Sequence, residues 1–221
     1  MRVAIHQPNF FPWVPFFQKM RAADVFILLG HCQFEMHGYQ NRFQYGDRWR
    51  TMPVHRSSEL ITDKKYVNPV ENWGRLKRGP QMPVKEMQQF DGLFTEWVWE
   101  TNVLIIQKLV KLLQIEAKLV TDYPIQLVRT ARLVRLCQDF EATEYLAGQG
   151  SKSYLDVSMF EQAGIKVIFQ DPAEMNMMPV LELLTHTEIS LVASAETDPS
   201  LRISLAKPKP KLEWPSLEYL I

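Results

Sequence analysis

The beginning of the chain alternates between apolar runs and a short polar loop. Arg2 to Ile5 has the length and composition of a buried strand, and Asp24 to Leu29 repeats that pattern. Between them, Pro15 to Ala23 carries apolar residues at helical spacing. A strand, a helix and a second strand are typical of a βαβ unit, whose strands run parallel. The loop from His6 to Trp13 would then lie at the carboxyl end of the first strand, where open α/β sheets bind ligands.

The part of the chain after residue 93 again alternates between helical and strand patterns. Apolar residues recur at helical spacing over 94–113 and predict a long helix. Further helices are predicted at 125–140 and 154–163, and strands at 117–120, 143–147 and 165–170. The chain is therefore predicted to form an α/β fold, with a mostly parallel Rossmann-like sheet, flanking helices and a small hairpin elaboration.

The hairpin is predicted around Gly46 and Asp47, a pair that favours a tight turn between residues 40–45 and 48–55. Three prolines in a polar context favour irregular structure between residues 57 and 93. We expect one α/β domain, made of a His-loop half with the hairpin, an irregular insertion, a helix and βαβ half, and an irregular C-terminal segment with a tail. Their ranges are 1–56, 57–93, 94–170 and 171–221. The apolar end of the tail predicts docking on the body of the protein or on a partner.

Composition narrows the classes of partner and compartment. Lys plus Arg equals Asp plus Glu at 25 each, which argues against extended nucleic-acid binding through phosphate neutralisation. The two cysteines, Cys32 and Cys137, are far apart in the chain, so neither a disulfide framework nor a metal pair is predicted. No apolar run is long enough for a membrane span, and the N-terminus lacks a signal-peptide pattern. These features predict a cytoplasmic protein without a metal site.

The polar residues of the first loop are the strongest candidates for chemistry. His6 could act as a base or bind a phosphate, and Gln7 and Asn9 could orient a substrate by hydrogen bonds. Trp13 is the candidate for a ligand-facing aromatic residue. The alternative is a structural turn shaped by two prolines, with the aromatic residues of the loop and the first helix packed in the core.

A second group of candidates follows the second strand. His31 and Gln33 would point into the same crevice as His6, or simply begin a surface loop. Asn41 and Arg42 lie in the first hairpin strand, where a guanidinium could clamp a carboxylate or phosphate, or could be an ordinary exposed arginine. Trp49 could stack on a base or a sugar ring.

A glycine-containing loop, Gly148 to Ser153, lies between a predicted strand and a predicted helix. Gly148 and Gly150 would let the backbone approach an anion, and Ser151 and Lys152 would add a hydroxyl and a positive charge, so we expect a phosphate-binding loop. The spacing is not that of a Walker loop or a dinucleotide fingerprint. The alternative is a plain connection in which Ser151 or Ser153 caps the helix.

The sequence resembles the WbqC-like proteins over roughly residues 3 to 170. The matching segments are Ile5 to Trp13, Ala23 to Leu28, Gln33-Phe34, Asn41-Arg42, Trp49 with Pro53, Tyr145 to Gly148, and Tyr154 to Asp156 with Phe160. Members of that family occur among genes for O-antigen and related lipopolysaccharide biosynthesis. The resemblance implies a transferase that modifies a nucleotide-activated amino sugar by acyl or aminoacyl (glycyl-type) transfer, with His6 as base.

The same resemblance implies a nucleotide-linked sugar as partner and an activated acyl or aminoacyl donor, with ATP as the alternative cofactor. It leaves the donor, the acceptor sugar and a homo-oligomeric state open. A weaker similarity, at the level of the fold alone, is to the nucleotidyltransferase and pantothenate-synthetase group, which would make the chain a nucleotidyltransferase or an adenylate-forming ligase. The third interpretation is a non-catalytic binding or assembly protein.

Overall fold

The computed structural model describes residues 1–57 and 59–186 of the chain. Its main sheet has five parallel strands in the order β5-β2-β1-β6-β7. These strands are β1 (Arg2–His6), β2 (Val25–Leu28), β5 (Lys118–Thr121), β6 (Glu144–Ala147) and β7 (Lys166–Phe169). The predicted α/β class and parallel sheet are confirmed.

Two layers of helices cover the sheet, and they pack on opposite faces. The helices are α1 (Val14–Arg21), α2 (Pro69–Lys77), α3 (Val84–Gln88), α4 (Val98–Leu112), α5 (Arg129–Asp139), α6 (Val157–Gln162) and α7 (Val180–His186). One core cluster joins α1 and α4 to alternate sheet residues such as Ala4, Phe26 and Leu146. The other joins α5 and α6 to the intervening residues, such as Val3 and Ile27. This alternation follows from the period of two along each strand.

The strand order reverses beside β1. The chain moves from β1 to β2 and β5 on one side, then crosses to β6 and β7 on the other. Numbered within the sheet alone, the order is 3-2-1-4-5, which is that of a doubly wound dinucleotide-binding sheet without its last strand. The crevice between β1 and β6 is therefore the topological switch point, where such sheets bind ligands.

The predicted hairpin is present as a separate antiparallel pair, β3 (Arg42–Tyr45) and β4 (Arg48–Thr51). Its turn contains Gly46 at a φ of 58°, a conformation that favours glycine. The second strand ends at Thr51, four residues before the predicted end. Val54 makes only an isolated bridge to Tyr66.

The irregular structure predicted over 57–93 is wrong for much of that segment. It contains α2, α3 and a 3₁₀ turn at Ile61–Asp63. Pro69 stands in the first turn of α2 and Pro83 immediately precedes α3, positions where the missing N–H group costs little. Trp73 of α2 stacks on Phe11, with ring centroids 5.5 Å apart, so this segment is part of the main core.

Several other elements differ from the prediction, among them two helix starts and one helix that was not predicted. α5 begins at Arg129 rather than Ile125, and α6 begins at Val157 after a 3₁₀ turn. α7 lies within a segment predicted to be irregular, where Val180, Leu181 and Leu184 are buried. The predicted docking of residues 214–221 lies outside the described residues. No helix in the described part of the chain is long and apolar enough to cross a membrane.

Candidate functional site

The sheet brings two polar loops together at the switch point. β1 and β6 are neighbours, and their last paired residues are Ala4 and Leu146. His6 and Gly148 each come two residues after this pair, so the His loop and the glycine loop begin side by side. The predicted catalytic histidine and the predicted phosphate loop therefore lie at the same edge of the sheet.

The His6 ring is half-buried and fixed on two sides. Its Nδ1 atom lies 3.0 Å from the carbonyl oxygen of Gln7, and its ring packs edge-on against Phe16 with centroids 5.0 Å apart. Burial and the nearby charge of Lys19 lower the pKa of His6 to about 4, against a smaller opposing effect of the Gln7 hydrogen bond. The imidazole is therefore neutral at neutral pH, and Nδ1–H donates to the Gln7 carbonyl.

Lys19 was not predicted, yet it places a buried amino group beside the switch point. Its residue surface is only 2% exposed, and Nζ donates to the carbonyl oxygen of Ile5 at 2.8 Å. This carbonyl lies just after the point where the pairing of β1 with β6 ends. Within the described part of the chain, no carboxylate forms an ion pair with Lys19. Burial lowers the pKa of Lys19 to about 7.

The sequence did contain a signal for Lys19. It lies three residues after Phe16 and next to Met20, both buried in the core. Residues three and four apart share a face of a helix, so a lysine at this position points toward the sheet. A charged residue on an otherwise apolar helix face is rare without a partner or a function.

The His loop is held from both sides by buried amides. Gln7 donates from Nε2 to the Cys32 sulfur at 3.4 Å, and its Oε1 accepts from Gln40 Nε2. The fully buried Asn102 of α4 donates to the carbonyl oxygen of Pro8 at 2.7 Å. The Gln7 amide is thus engaged by the protein at both ends, which fixes the loop beside His6.

Two residues of the loop keep polar atoms without a partner. The half-buried Asn9 side chain makes no hydrogen bond to any of the described residues, and the buried indole Nε1 of Trp13 is unpaired among them. Trp13 also forms an isolated backbone bridge with Pro179. The other aromatic residues of this region confirm the packing interpretation, since they lie in the core: Phe10, Phe11, Phe16 and Phe17.

His31 lies after β2 and is held by a carboxylate that sequence reasoning missed. Its Nδ1 is 3.0 Å from Oδ1 of Asp122, which immediately follows β5. Arg132 of α5 donates to the other carboxylate oxygen at 2.7 Å. The position of Asp122 just after a strand was the signal available in the sequence.

The glycine loop is more compact than predicted. Residues 149–153 form a 3₁₀ turn in which the buried Ser151 donates from Oγ to the Gly148 carbonyl at 2.7 Å. Lys152 is exposed, with Nζ 5.2 Å from the centre of the Phe169 ring. The α6 helix begins later and is capped by the side chain of Asp156, so the interpretation in which Ser151 or Ser153 caps that helix is wrong.

The backbone conformation does not require glycine at either glycine position of this loop. Gly148 and Gly150 have no left-handed φ, and a Cβ at Gly150 would meet nothing within 4 Å. A Cβ at Gly148 would meet only the Gln170 side chain, at 3.9 Å. The space above the loop is open to a group that approaches the backbone.

Comparison with known proteins gives the family. The model of the WbqC-like protein family matches residues 7–78 and 85–179. The chain belongs to the WbqC-like protein family. An uncharacterized protein of Mycobacterium tuberculosis, Rv1507c, is 26% identical over 191 residues, which cover 77% of this chain and 82% of that protein. No solved structure matches the chain.

The segments that match the WbqC-like family model contain most of the candidate site residues at the carboxyl edge of the sheet. Lys19, His31, Asp122 and the glycine loop lie within them, and His6 immediately precedes the first. The relative from M. tuberculosis has no described activity in its name. The family match therefore identifies the family, and neither it nor the name of this relative states an activity.

The remaining predicted residues of the WbqC-like chain make contacts within the hairpin region. The buried Asn41 donates to the Met52 carbonyl at 2.8 Å. The Arg42 guanidinium lies over the Trp49 ring at 4.4 Å. The exposed Gln33 donates to the Glu59 carbonyl at 3.0 Å. These contacts explain the residues as structural, and their roles in substrate binding stay predictions.

No cluster of three or more His, Cys, Asp or Glu residues that could hold a metal ion occurs in residues 1–57 and 59–186. Burial raises the pKa of Cys32 to about 11, despite its hydrogen bond from Gln7. A thiol with this pKa is protonated at neutral pH and is a poor nucleophile.

Proposed function

We propose that this WbqC-like protein is a transferase that modifies a nucleotide-activated amino sugar, by acyl or aminoacyl transfer to the sugar amine. The observation that carries the proposal is the convergence of Lys19, His6 and the glycine loop on the switch point of a nucleotide-binding type of sheet. A pyrophosphate binds to cations and to backbone amides. This edge holds the buried Lys19 amino group and a loop backbone with room beside Gly148 and Gly150.

In this proposal, each part of the nucleotide-linked sugar contacts a different part of the site. The phosphates lie between Lys19 and the open face of the Gly148–Lys152 loop. The sugar lies against the neutral His6 imidazole, which can exchange hydrogen bonds with an amine or a hydroxyl group without a charge penalty. The half-buried Asn9 amide, which has no partner among the described residues, is available to the ligand. The Trp13 indole N–H is also unpaired among them, but it is buried. The base role of His6 stays a prediction.

A second function is supported by the strand order. The same switch point would accept ATP, and an adenylate-forming ligase or nucleotidyltransferase would place the triphosphate where the first proposal places the pyrophosphate. The two functions differ in the ligand that the native protein binds, so a binding measurement separates them.

The first experiment is a thermal-shift titration of the whole chain with UDP- and dTDP-linked amino sugars, the corresponding free sugars, and ATP. A ligand that binds only the folded state at 100 times its Kd adds about 2.7 kcal/mol to the free energy of unfolding, and so raises Tm. We expect the nucleotide-linked amino sugars to raise Tm and the free sugars to have no effect.

Two variants locate the binding site. Lys19→Met should abolish the ligand-induced shift, whereas Lys85→Met, an exposed lysine of α3, should keep it. A shift with ATP alone would favour the ligase. If no nucleotide sugar raises Tm, or if Lys19→Met responds like the wild type, the proposed transferase site is refuted.

A further inference from the structure

A buried carboxylate ties together the loop after β2 and the start of the connection to α5. The Asp122 side chain is fully buried and accepts hydrogen bonds from the backbone N–H groups of Gly30 at 2.8 Å and His31 at 3.2 Å. Arg132 Nη2 donates to it at 2.7 Å, and its Nη1 donates to the His31 carbonyl. These charge-assisted bonds satisfy an ionised carboxylate without any help from the imidazole.

The imidazole of His31 is nevertheless placed on the same carboxylate. Nδ1 lies 3.0 Å from Asp122 Oδ1, which can only accept, so Nδ1 carries a proton. The other ring nitrogen, Nε2, makes no hydrogen bond to any described residue and is not among the buried unpaired atoms. The side chain is 23% exposed, so this nitrogen is open to solvent or a ligand.

The pair lies next to the His loop. Gln7 donates to the sulfur of Cys32, the residue after His31, at 3.4 Å. β2 pairs directly with β1, and His6 is in register with Leu28. His31 therefore follows the same sheet edge as His6, one strand away from the switch point.

We propose that His31 is the catalytic residue that transfers the proton, through Nε2, and that Asp122 is its positioning residue. This inference rests on the proposed transferase function. As the sugar amine forms its bond to the acyl carbon, it loses a proton to His31 Nε2. The bond from the acyl carbon to its carrier, an activated acyl or aminoacyl donor, breaks with its electron pair on the carrier. His31 then returns the proton to that leaving group.

The geometry favours His31 over His6 for this step. A carboxylate on Nδ1–H stabilises the imidazolium that forms when Nε2 takes a proton, whereas His6 has only the neutral carbonyl of Gln7 on its Nδ1. His6 also has a pKa of about 4, because its ring is buried beside the charge of Lys19. A base with that pKa is weak near neutral pH.

The positioning part can be tested without a substrate. In ¹⁵N NMR spectra of the wild type, the singly protonated His31 ring should carry its proton on Nδ1, with Nε2 unprotonated. Diethyl pyrocarbonate should label His31 at Nε2, and Asp122→Asn should slow that labelling severalfold and shift the tautomer. A proton on Nε2 in the wild type, or labelling that is unchanged in Asp122→Asn, would overturn the proposal.

The catalytic part is tested with a nucleotide-linked amino sugar that raises Tm, together with an activated acyl or aminoacyl donor such as a thioester. His31→Gln should lower kcat roughly 100- to 10,000-fold with little change in KM, while His55→Gln, an exposed histidine, should match the wild type. Full activity of His31→Gln refutes the base role and leaves the transferase function standing. If the wild type itself turns over no such sugar, the transferase function fails, and the NMR and labelling results still decide whether His31 is a proton acceptor oriented by Asp122.

Discussion

At the scale of single residues, Lys19 places an ammonium group in the core without a carboxylate among the described residues to neutralise it. Its pKa of about 7 lies well below the ordinary value of 10.5, and burial is the main cause. Between these two pH values Lys19 binds more protons in the unfolded chain than in the folded one. The contribution of Lys19 to stability must therefore rise with pH across this window, and its charged form is costly below it.

We predict that Lys19→Met removes this dependence. Each pH unit well inside the window is worth about 1.4 kcal/mol, so the wild type should gain about 2 kcal/mol relative to the variant between about pH 7 and pH 9. Urea unfolding of both proteins at several pH values measures the difference. The thiols of Cys32 and Cys137 affect both proteins alike in this range, because their folded-state pKa values of about 11 and about 12 lie well above pH 9. A difference that is constant with pH would show that Lys19 keeps an ordinary pKa.

Some residues that follow a strand directly, such as His6, were predicted from the sequence, while their pairing with residues of other elements was not. His6 ends the first apolar run, so its place at the sheet edge follows from the pattern. Lys19 and Arg132 reach that edge from helices, and Asp122 pairs with His31 across 91 positions of sequence. Such pairs depend on the order of strands, which local hydrophobic spacing does not determine.

At the scale of elements, the loops at the sheet edge differ in how tightly they are packed. A Cβ on Gly30 would come within 2.3 Å of the Trp99 ring, while one on Gly150 would meet nothing within 4 Å. The loop after β2 therefore packs closely against Trp99 of α4, whereas the loop after β6 has no atoms packed against it at Gly150.

We predict opposite results for alanine at these two glycines. Gly30→Ala should lower the free energy of unfolding by about 1 to 3 kcal/mol, because the Trp99 ring must move. Gly150→Ala should leave the free energy of unfolding unchanged or raise it by up to about 1 kcal/mol, because alanine lowers the conformational entropy of the unfolded chain. If a phosphate approaches the loop after β6, Gly150→Ala should also lose ligand-induced stabilisation while staying folded. Equal stability losses in both variants would contradict this difference in packing.

The elements themselves were predicted best where apolar spacing was regular. The sheet strands and the long α4 helix follow directly from such spacing. The helices α2 and α3 were missed because prolines were interpreted as breaks, whereas Pro69 and Pro83 stand at helix starts. The sequence alone does not distinguish a proline that begins a helix from one that interrupts regular structure. Here the burial of Trp73 and Met87 in the core shows that both prolines stand at helix starts.

At the scale of the whole molecule, the segment after β7 returns across the first helix to the hairpin. Gln18 of α1 donates to the Glu174 carbonyl at 2.9 Å and accepts from the Asn176 N–H group at 3.0 Å. Glu182 of α7 accepts from the Gly46 N–H group at 2.7 Å. Residues 174–182 thus connect three parts of the fold that are distant in sequence.

The variant Gln18→Ala tests whether the Gln18 amide holds residues 174–176 against α1. Gln18→Ala removes two hydrogen bonds to backbone groups, each worth about 1 kcal/mol, at an edge that water can reach. We expect faster amide exchange over residues 173–178, measured by mass spectrometry, with the strands of the sheet unchanged. Gln138→Ala, at an exposed glutamine of α5, should leave exchange in both regions as in the wild type. Faster exchange throughout the sheet in Gln18→Ala would contradict this prediction, because it would mean that residues 173–178 open only together with the whole fold.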